Sequence, residues 1–457
     1  MLYSRAVSPD SMPRVLVVAP SNAAVDELAR KLIIVQRNIR EAGKIPSFRM
    51  VRLGILKSVH PQVKELTFDR MVEVMVDSDM RKNQMSASLE KDLKTKQEQA
   101  NQLANAQEVA EKEGNSDLAA KLGRDVAEKT RQVNKIKAQL KNPQVDPRSQ
   151  LQMRKQAEEK VMAGADVLLS TLSSSTSREV ERLLMPGSRA GTSRQTGLLR
   201  PVSVCIMDEA SQCVEPEALI PVRLGFCKLV MVGDHEQLAA TVTSRVAKEK
   251  DYHQSLFNRL IHSFDSSARN PVQRLDIQYR MHAAIANWPA RYFYGGRLEN
   301  GPQDRNSSLH AYTVLDLKSH ESQGGGQCYN EAEVNLVVKV LQEIQGIGSA
   351  RGLTSGVITF YAKQKQQIAL ALQAAKLPPM DVNTVDGFQG GERDVIVISC
   401  VRAGTPSIGF LQEKERLNVA LTRARFCLVV IGDMGTLEKA SPDLWGQLVT
   451  DARNRGR

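Results

Sequence analysis

Short runs of consecutive apolar residues recur along the chain, separated by polar stretches with helical periodicity. These runs are rich in β-branched residues and lie at residues 15–19, 167–170, 202–207, 229–232, 356–359, 395–399 and 427–431. Apolar runs without alternation are typical of strands that are buried on both faces, as in parallel sheets. The pattern therefore predicts an α/β fold in which helices cover both faces of parallel sheets.

Residues 71–160 differ in composition, since they are rich in Lys, Glu, Gln and Ala and nearly free of aromatic residues. After a polar break at residues 114–117, apolar residues follow a heptad-like spacing at Leu118, Leu122, Val126, Val133, Ile136 and Leu140. We predict two antiparallel helices joined by that break, each roughly 35–40 Å long. A disordered polar linker is the alternative. Because the sheet pattern resumes at Ala165, we expect the hairpin to be an insertion in the first α/β domain.

The formal net charge of +11 suggests a polyanionic partner, nucleic acid first, although solubility alone is the alternative explanation. Six scattered cysteines without a CxxC pair favour buried reduced thiols over disulfides or zinc ligands. The chain has no run of 18 apolar residues and no apolar segment typical of a signal peptide, so we expect an intracellular protein. A Gly/Ser/Arg-rich stretch at residues 186–195 predicts a flexible loop.

Two adjacent carboxylates, Asp208 and Glu209, follow the apolar run at residues 202–207. Ligands bind at the carboxyl ends of strands in open α/β sheets. An ATPase needs one carboxylate for Mg²⁺ and a second for the attacking water, and Asp208 and Glu209 fit these tasks in that order. A helix-capping acidic pair is the alternative interpretation.

Later segments supply further candidates for phosphate chemistry. Gln237 follows the run at residues 229–232 and is a candidate to sense a γ-phosphate beside Asp208. Arg280 and Arg423 are candidates to neutralise charge on the transferring phosphoryl group, as arginine fingers do. Arg425 is the weaker candidate. Each arginine has a plain alternative as a solvated surface charge.

The order of these segments resembles that of superfamily 1 helicases, in the branch of senataxin and the nonsense-mediated-decay RNA helicase. The segments that carry the resemblance are residues 19–26, 208–212, 233–238, 278–280, 385–394 and 418–425. The resemblance implies two RecA-like domains that bind ATP and Mg²⁺ between them. Their boundaries would be 1–70 with 161–265 for the first, 71–160 for the hairpin, and 266–457 for the second.

The resemblance also implies roles for individual residues. It assigns Asp208 to Mg²⁺, Glu209 to water activation, and Gln237, Arg280 and Arg423 to the γ-phosphate. It places Gly233, Asp234, Gly391 and Glu392 at the nucleotide, with Glu392 at the ribose. The nucleic-acid backbone would be contacted by Ser21, Asn22, Thr171 and Thr384, polar side chains that grip phosphates without identifying bases. Helix capping by Ser21 and Asn22, and strand termination by the two threonines, are the alternatives.

One departure from the family pattern concerns activity. The family's phosphate-binding loop, G-x-x-x-x-G-K-[ST], precedes the first of these segments, and none of the eighteen residues before Ala19 matches it. We expect a truncated record of an active ATP-dependent RNA or RNA–DNA hybrid helicase, moving 5′ to 3′. An ATPase-deficient nucleic-acid-binding scaffold is the alternative. The resemblance further implies a location in the nucleus, with the cytoplasm as the alternative. We expect a monomer with no membrane contact, whose hairpin recruits protein partners.

Overall fold

A computed structural model describes residues 13–44, 48–84, 87–141, 147–184, 201–302, 309–324, 327–348 and 352–457. Its strands are β1 (Arg14–Ala19), β2 (Met50–Arg52), β3 (Val167–Thr171), β4 (Val202–Met207), β5 (Lys228–Met231), β6 (Ile277–Gln278), β7 (Glu299–Asn300), β8 (Tyr312–Asp316), β9 (Ser322–Gly324), β10 (Gln327–Tyr329), β11 (Ser355–Thr359), β12 (Asp381–Thr384), β13 (Arg393–Ser399) and β14 (Ala424–Gly432).

The helices alternate with most of these strands. They are α1 (Asn22–Glu41), α2 (Phe68–Gln84), α3 (Ala87–Lys112), α4 (Ser116–Lys141), α5 (Pro147–Ala163), α6 (Arg178–Leu184), α7 (Glu215–Ala218), α8 (Arg245–Lys248), α9 (Leu256–Phe264), α10 (Ala283–Tyr292), α11 (Glu331–Gly346), α12 (Ala362–Ala374), α13 (Lys414–Leu421), α14 (Met434–Ala440) and α15 (Gln447–Asn454). Among the described residues, no helix is both long enough and apolar enough to cross a membrane.

The chain forms two compact units. The first comprises residues 1–208 and 219–230, and the second comprises residues 209–218 and 231–457. Asp208 therefore ends a segment of the first unit, and Glu209 begins the second.

The sheet of the first unit has the strand order β2-β3-β1-β4-β5. β1 is parallel to both of its neighbours, so that Val15 lies opposite Val167 of β3 and Val204 of β4. The predicted strands at residues 15–19, 167–170 and 202–207 are all present. β2 was not predicted, because it has only three residues and the last of them is Arg52.

The helical region confirms the predicted hairpin and extends it. α3 and α4 flank Gly114, which has a left-handed φ of 75° in the turn between them. Lys96 donates a hydrogen bond to Gln132 over 3.1 Å, and Lys129 donates one to Gln99 over 2.8 Å. The partner of Gln99 comes earlier in α4 than the partner of Lys96 does. The two helices α3 and α4 are therefore antiparallel.

α2 and α5 add a second helix pair where the hairpin joins the sheet. Lys160 of α5 lies 3.6 Å from the Asp79 carboxylate of α2, and Arg154 of α5 lies 3.6 Å from Asp69. The helical region therefore contains four helices, α2 to α5, and not only the two that were predicted. Residues 186–195, predicted to form a flexible loop, lie outside the described residues.

The heptad-like positions of α4 that the structure describes differ in their burial. Val133 and Ile136 are buried, with 6% and 8% of their surface exposed. Leu118, next to the turn, is instead exposed. The pattern thus predicts two buried positions of α4 correctly, whereas Leu118 is exposed although its neighbour Ala119 is buried.

The sheet of the second unit is also parallel, with the strand order β12-β11-β13-β14-β8. Alternate residues of its central strands point into two separate hydrophobic cores, one on each face. One core contains Ile358, Ile396, Ile398, Leu428 and Val430, and the other contains Val357, Val395, Val397, Cys427, Val429 and Ile431. Burial on both faces explains why these strands are continuous apolar runs, and it confirms the predicted α/β fold class.

Candidate functional site

The predicted carboxylate pair lies at the carboxyl end of β4. The Asp208 amide still donates to the Val18 carbonyl of β1 over 2.8 Å, so this residue is held by the sheet. Glu209 adopts a left-handed conformation with φ 52° and ψ 40°, which is uncommon for a residue with a side chain. Its side chain makes no capping hydrogen bond, and its carboxylate instead accepts one from Gln212 over 2.5 Å. The capping alternative is therefore not supported at Glu209.

The turn after β5 packs closely on the backbone that follows Glu209. The Ala210 amide donates to the Val232 carbonyl over 2.8 Å. A Cβ atom on Gly233 would lie 3.0 Å from the Ser211 nitrogen and 3.2 Å from that of Ala210. Glycine at this position thus permits the two predicted segments, 208–212 and 233–238, to approach each other.

Asp234 is the centre of a hydrogen-bond network within this turn. Its carboxylate accepts hydrogen bonds from Gln237 Nε2 over 2.8 Å, Tyr294 Oη over 2.6 Å and the Glu236 amide over 3.0 Å. Asn418 Nδ2 donates to Tyr294 Oη over 2.9 Å and to the Glu236 carbonyl over 2.8 Å. These contacts orient the Gln237 side chain.

Sequence reasoning missed Tyr294 and Asn418 as part of this network. Burial, followed by the charge of Asp234, raises the pKa of Tyr294, so its hydroxyl remains a donor. Asn418 lies inside segment 418–425, one of the segments that carry the family resemblance, so the sequence did contain a signal for it. Tyr294 has no such signal, because it is one of several aromatic residues in its stretch.

Arg423 is the most buried of the predicted arginines, with 2% of its surface exposed. Its guanidinium donates to the Val419 carbonyl over 2.9 Å, to Thr422 Oγ1 over 2.9 Å and to Gln237 Oε1 over 3.2 Å. All three acceptors are neutral. Burial and then the charge of Arg280 lower the pKa of Arg423 to about 10, while the charge of Glu209 opposes this shift.

Arg280 lies beside Arg423 and is more exposed. It donates to Glu392 Oε2 over 2.7 Å and to the Thr422 carbonyl over 3.4 Å. Thr422 therefore contacts both predicted arginines. Arg425, the weaker candidate, forms ion pairs with Asp394 at 3.3 Å and Glu392 at 3.8 Å.

We call Gln237, Arg280 and Arg423 the arginine–glutamine cluster. The second unit brings these three residues together from segments that are 43 to 186 positions apart in the chain. Two guanidinium groups and an amide form a set of donors that suits the oxygen atoms of an anion. Gly391 and Glu392, also predicted at the nucleotide, follow a turn in which the Gly391 amide donates to the Phe388 carbonyl over 3.0 Å.

Asp208 is the carboxylate that the sequence assigns to Mg²⁺. Among the described residues, no group of three or more His, Cys, Asp or Glu side chains is arranged to hold a metal ion. Mg²⁺ is usually held by one or two carboxylates together with waters and substrate phosphates, so a single protein carboxylate is compatible with it. Asp208 stays the predicted ligand.

Ser21 and Asn22, predicted to contact nucleic acid, lie at the start of α1. Ser21 Oγ accepts a hydrogen bond from the Ala24 amide over 3.2 Å and caps the helix, as the alternative interpretation proposed. Asn22 Oδ1 accepts one from Arg52 over 2.7 Å. The Ser21 hydroxyl can still donate a hydrogen bond, so its contact with a phosphate stays a prediction.

Thr171 and Thr384 are the last residues of β3 and β12. Thr171 Oγ1 accepts from the Ser174 amide over 3.4 Å, and Thr384 Oγ1 accepts from the Gly387 amide over 3.4 Å. Each threonine thus precedes a short 3₁₀ turn at the carboxyl edge of a parallel sheet.

Comparison with known proteins agrees with this architecture. Two family models match the chain, and both are described as an AAA domain. One covers residues 2–245, more than half of the chain, and the other covers residues 252–435.

Among curated relatives, Helicase sen1 of Schizosaccharomyces pombe is 33% identical over 98% of this chain and 27% of its own length. Probable helicase senataxin of Homo sapiens is 30% identical over 97% of this chain and 17% of its own length. Regulator of nonsense transcripts 1 of Dictyostelium discoideum is 36% identical over 55% of this chain and 20% of its own length. The chain thus spans 17–27% of the length of these relatives. With the order of the predicted segments, these matches show that the chain belongs to the senataxin-like family of superfamily 1 helicases.

Proposed function

We propose that this chain is the motor region of an ATP-dependent helicase or translocase that acts on RNA or RNA–DNA hybrids. The observation that carries the proposal is Arg423, a buried cation with neutral hydrogen-bond partners, next to Arg280 and joined to Gln237. Such a group is suited to an incoming anion, and the γ-phosphate of a nucleotide is the anion that the family membership suggests.

In this proposal the residues divide the work at the nucleotide. Asp208 holds Mg²⁺, and Glu209 orients the attacking water and accepts its proton. Gln237, Arg280 and Arg423 contact the γ-phosphate, while Gly233, Asp234, Gly391 and Glu392 contribute to the rest of the nucleotide site. Bound Mg²⁺ would neutralise phosphate charge during phosphoryl transfer.

The nucleic-acid part of the proposal rests on the strand ends and on charge. Ser21, Asn22, Thr171 and Thr384 contact the backbone of one strand, and the net charge of +11 favours a polyanion. We also propose the domain division 1–70 with 161–265, 71–160, and 266–457. Within it, the 71–160 hairpin recruits protein partners, and the protein acts as a monomer in the nucleus.

A hydrolysis assay tests this function. The purified chain is mixed with ATP and Mg²⁺, with and without single-stranded RNA, and phosphate release is compared with that of Asp208→Ala. We expect RNA-stimulated release that Asp208→Ala lacks, because that variant has lost the proposed Mg²⁺ ligand. Equal release by both proteins, together with intact RNA binding, would assign the chain to the scaffold alternative.

A further inference from the structure

Phe410 is an exposed aromatic residue in the segment that connects β13 to α13. It lies in a short 3₁₀ turn, Gly409–Gln412, and 49% of its surface is exposed. Single exposed apolar residues are common and need no explanation. Phe410 differs because its neighbours hold the ring in a defined position.

Tyr361 supports the turn from one side. Its ring centroid lies 5.9 Å from that of Phe410, and its hydroxyl donates to the Ile408 carbonyl over 3.2 Å. Gly409 has a left-handed φ of 54°, and a Cβ atom there would lie 3.0 Å from the Tyr361 hydroxyl. The turn therefore requires glycine next to the exposed ring.

Arg416 contacts both the Phe410 ring and Asp386, which follows β12. Its guanidinium carbon lies 4.8 Å from the centroid of the Phe410 ring. The same guanidinium donates to the Asp386 carboxylate over 3.0 and 3.2 Å. Asp386 lies two residues after Thr384, the proposed contact for the nucleic-acid backbone. The exposed ring is thus connected through two side chains to a proposed phosphate contact.

We propose that Phe410 is a stacking platform for one base of the strand whose backbone is contacted at Thr384. This inference rests on the proposed function and adds a base contact to it. Arg416 lies over the ring, and the remaining exposed surface of Phe410 is available to a base. Aromatic stacking accepts every base, because each base has a π face, so this contact gives affinity without sequence preference. A motor that moves along any sequence needs contacts of this kind.

The test measures binding of labelled single-stranded oligouridine by fluorescence anisotropy, with and without the bases. We expect Phe410→Ala to weaken binding to the normal strand about 5- to 100-fold. Phe410→Trp should keep most of the affinity. The matched control is Leu370→Ala, which removes another exposed apolar side chain, on α12, and should bind like the unmodified chain.

The strand with abasic sites separates stacking from a structural role. On that strand we expect Phe410→Ala and the unmodified chain to bind equally, because no base is present to stack. An equal loss on both strands, or no loss on the normal strand, overturns the proposal. If Thr384→Ala weakens binding while Phe410→Ala does not, only this inference fails. If the unmodified chain binds neither strand, the proposed function fails and this inference fails with it.

Discussion

The two units contain buried arginines that are satisfied in opposite ways. Arg52, in the first unit, is fully buried and forms an ion pair with Asp26 over 3.0 Å. Asp26 also accepts a hydrogen bond from the His60 amide over 2.7 Å. Arg423, in the second unit, is almost as buried, but among the described residues no carboxylate forms an ion pair with it.

The difference separates a structural charge from a candidate functional one. A buried cation is costly unless an opposite charge and hydrogen bonds compensate it. The charge of Arg52 is compensated by Asp26, and its hydrogen bonds to Asp26 and Asn22 join β2 to α1. Burial, followed by the charge of Arg280, lowers the pKa of Arg423 from its ordinary value to about 10, which corresponds to a cost of roughly 3 kcal/mol for its charge. We infer that an anionic ligand compensates Arg423.

The largest effect is expected at Arg423. Arg423→Gln should lower the rate of RNA-stimulated ATP hydrolysis about 10³-fold, because it removes a charge that stabilises the transferring phosphoryl group. The thermal unfolding midpoint should stay the same or rise, since a costly buried charge is lost. Phosphate release and thermal denaturation measure the two effects.

Arg425→Gln is the matched control for this experiment, since it removes a nearby arginine that already has ion-pair partners. Its effect on hydrolysis should be small. Unfolding of the Arg423→Gln protein, or an equal loss of hydrolysis in both variants, would contradict this prediction. Arg423 would then have a structural role like that of Arg52.

The second prediction concerns Arg52. Arg52→Met leaves the Asp26 carboxylate buried without its partner, so we expect the free energy of unfolding to fall by about 3–5 kcal/mol. Urea denaturation monitored by circular dichroism measures the change. Arg49→Met, at the exposed position directly before β2, should cost much less. A loss below 1 kcal/mol at Arg52, on the order of a surface substitution, would contradict a structural role.

A third buried charge, Glu333 of α11, extends the comparison to an anion. Ser399 Oγ donates to its carboxylate over 2.6 Å, and the Val401 amide donates to both oxygen atoms over 2.9 Å. Val401 has a left-handed φ of 74°, which is rare for a β-branched residue. Burial raises the pKa of Glu333 from 4.5 to about 7, although these hydrogen bonds oppose the shift.

The third prediction follows from this raised pKa. The folded protein keeps the Glu333 proton up to about pH 7, whereas the unfolded chain releases it near pH 4.5. The stability from this group is therefore complete below pH 4.5 and is lost as the pH rises through 7. Relative to Glu333→Gln, the unmodified chain should lose roughly 3 kcal/mol of unfolding free energy over that range.

Urea denaturation at a series of pH values measures this loss. Glu331→Gln, which changes an exposed carboxyl in the first turn of the same helix, is the control and should follow the unmodified chain. If the curves of the unmodified chain and Glu333→Gln run parallel, Glu333 is ionised throughout and its hydrogen bonds outweigh its burial.

Much of the fold was predictable because its strands are buried on both faces. A run such as residues 395–399 must be apolar throughout to fill two cores, and this leaves a clear pattern in the chain. The α3–α4 hairpin was predictable for a similar reason, since one face of α4 contacts α3. β2 left no such pattern, because its Arg52 is buried through Asp26 and not through apolar packing.

The residue types of the candidate site were determined by the sequence alone. The order of short polar segments after apolar runs was enough to select Gln237, Arg280 and Arg423 as candidates. Which arginine is buried without an ion pair among the described residues was decided only by the tertiary structure, because all arginines have the same charge in a sequence. Tyr294 joins Asp234 to Asn418 across 60 and 124 positions of the chain, and no local pattern records contacts of that separation. Burial and hydrogen-bond partners arise only when distant segments pack together, so they turn a list of candidate residues into a site.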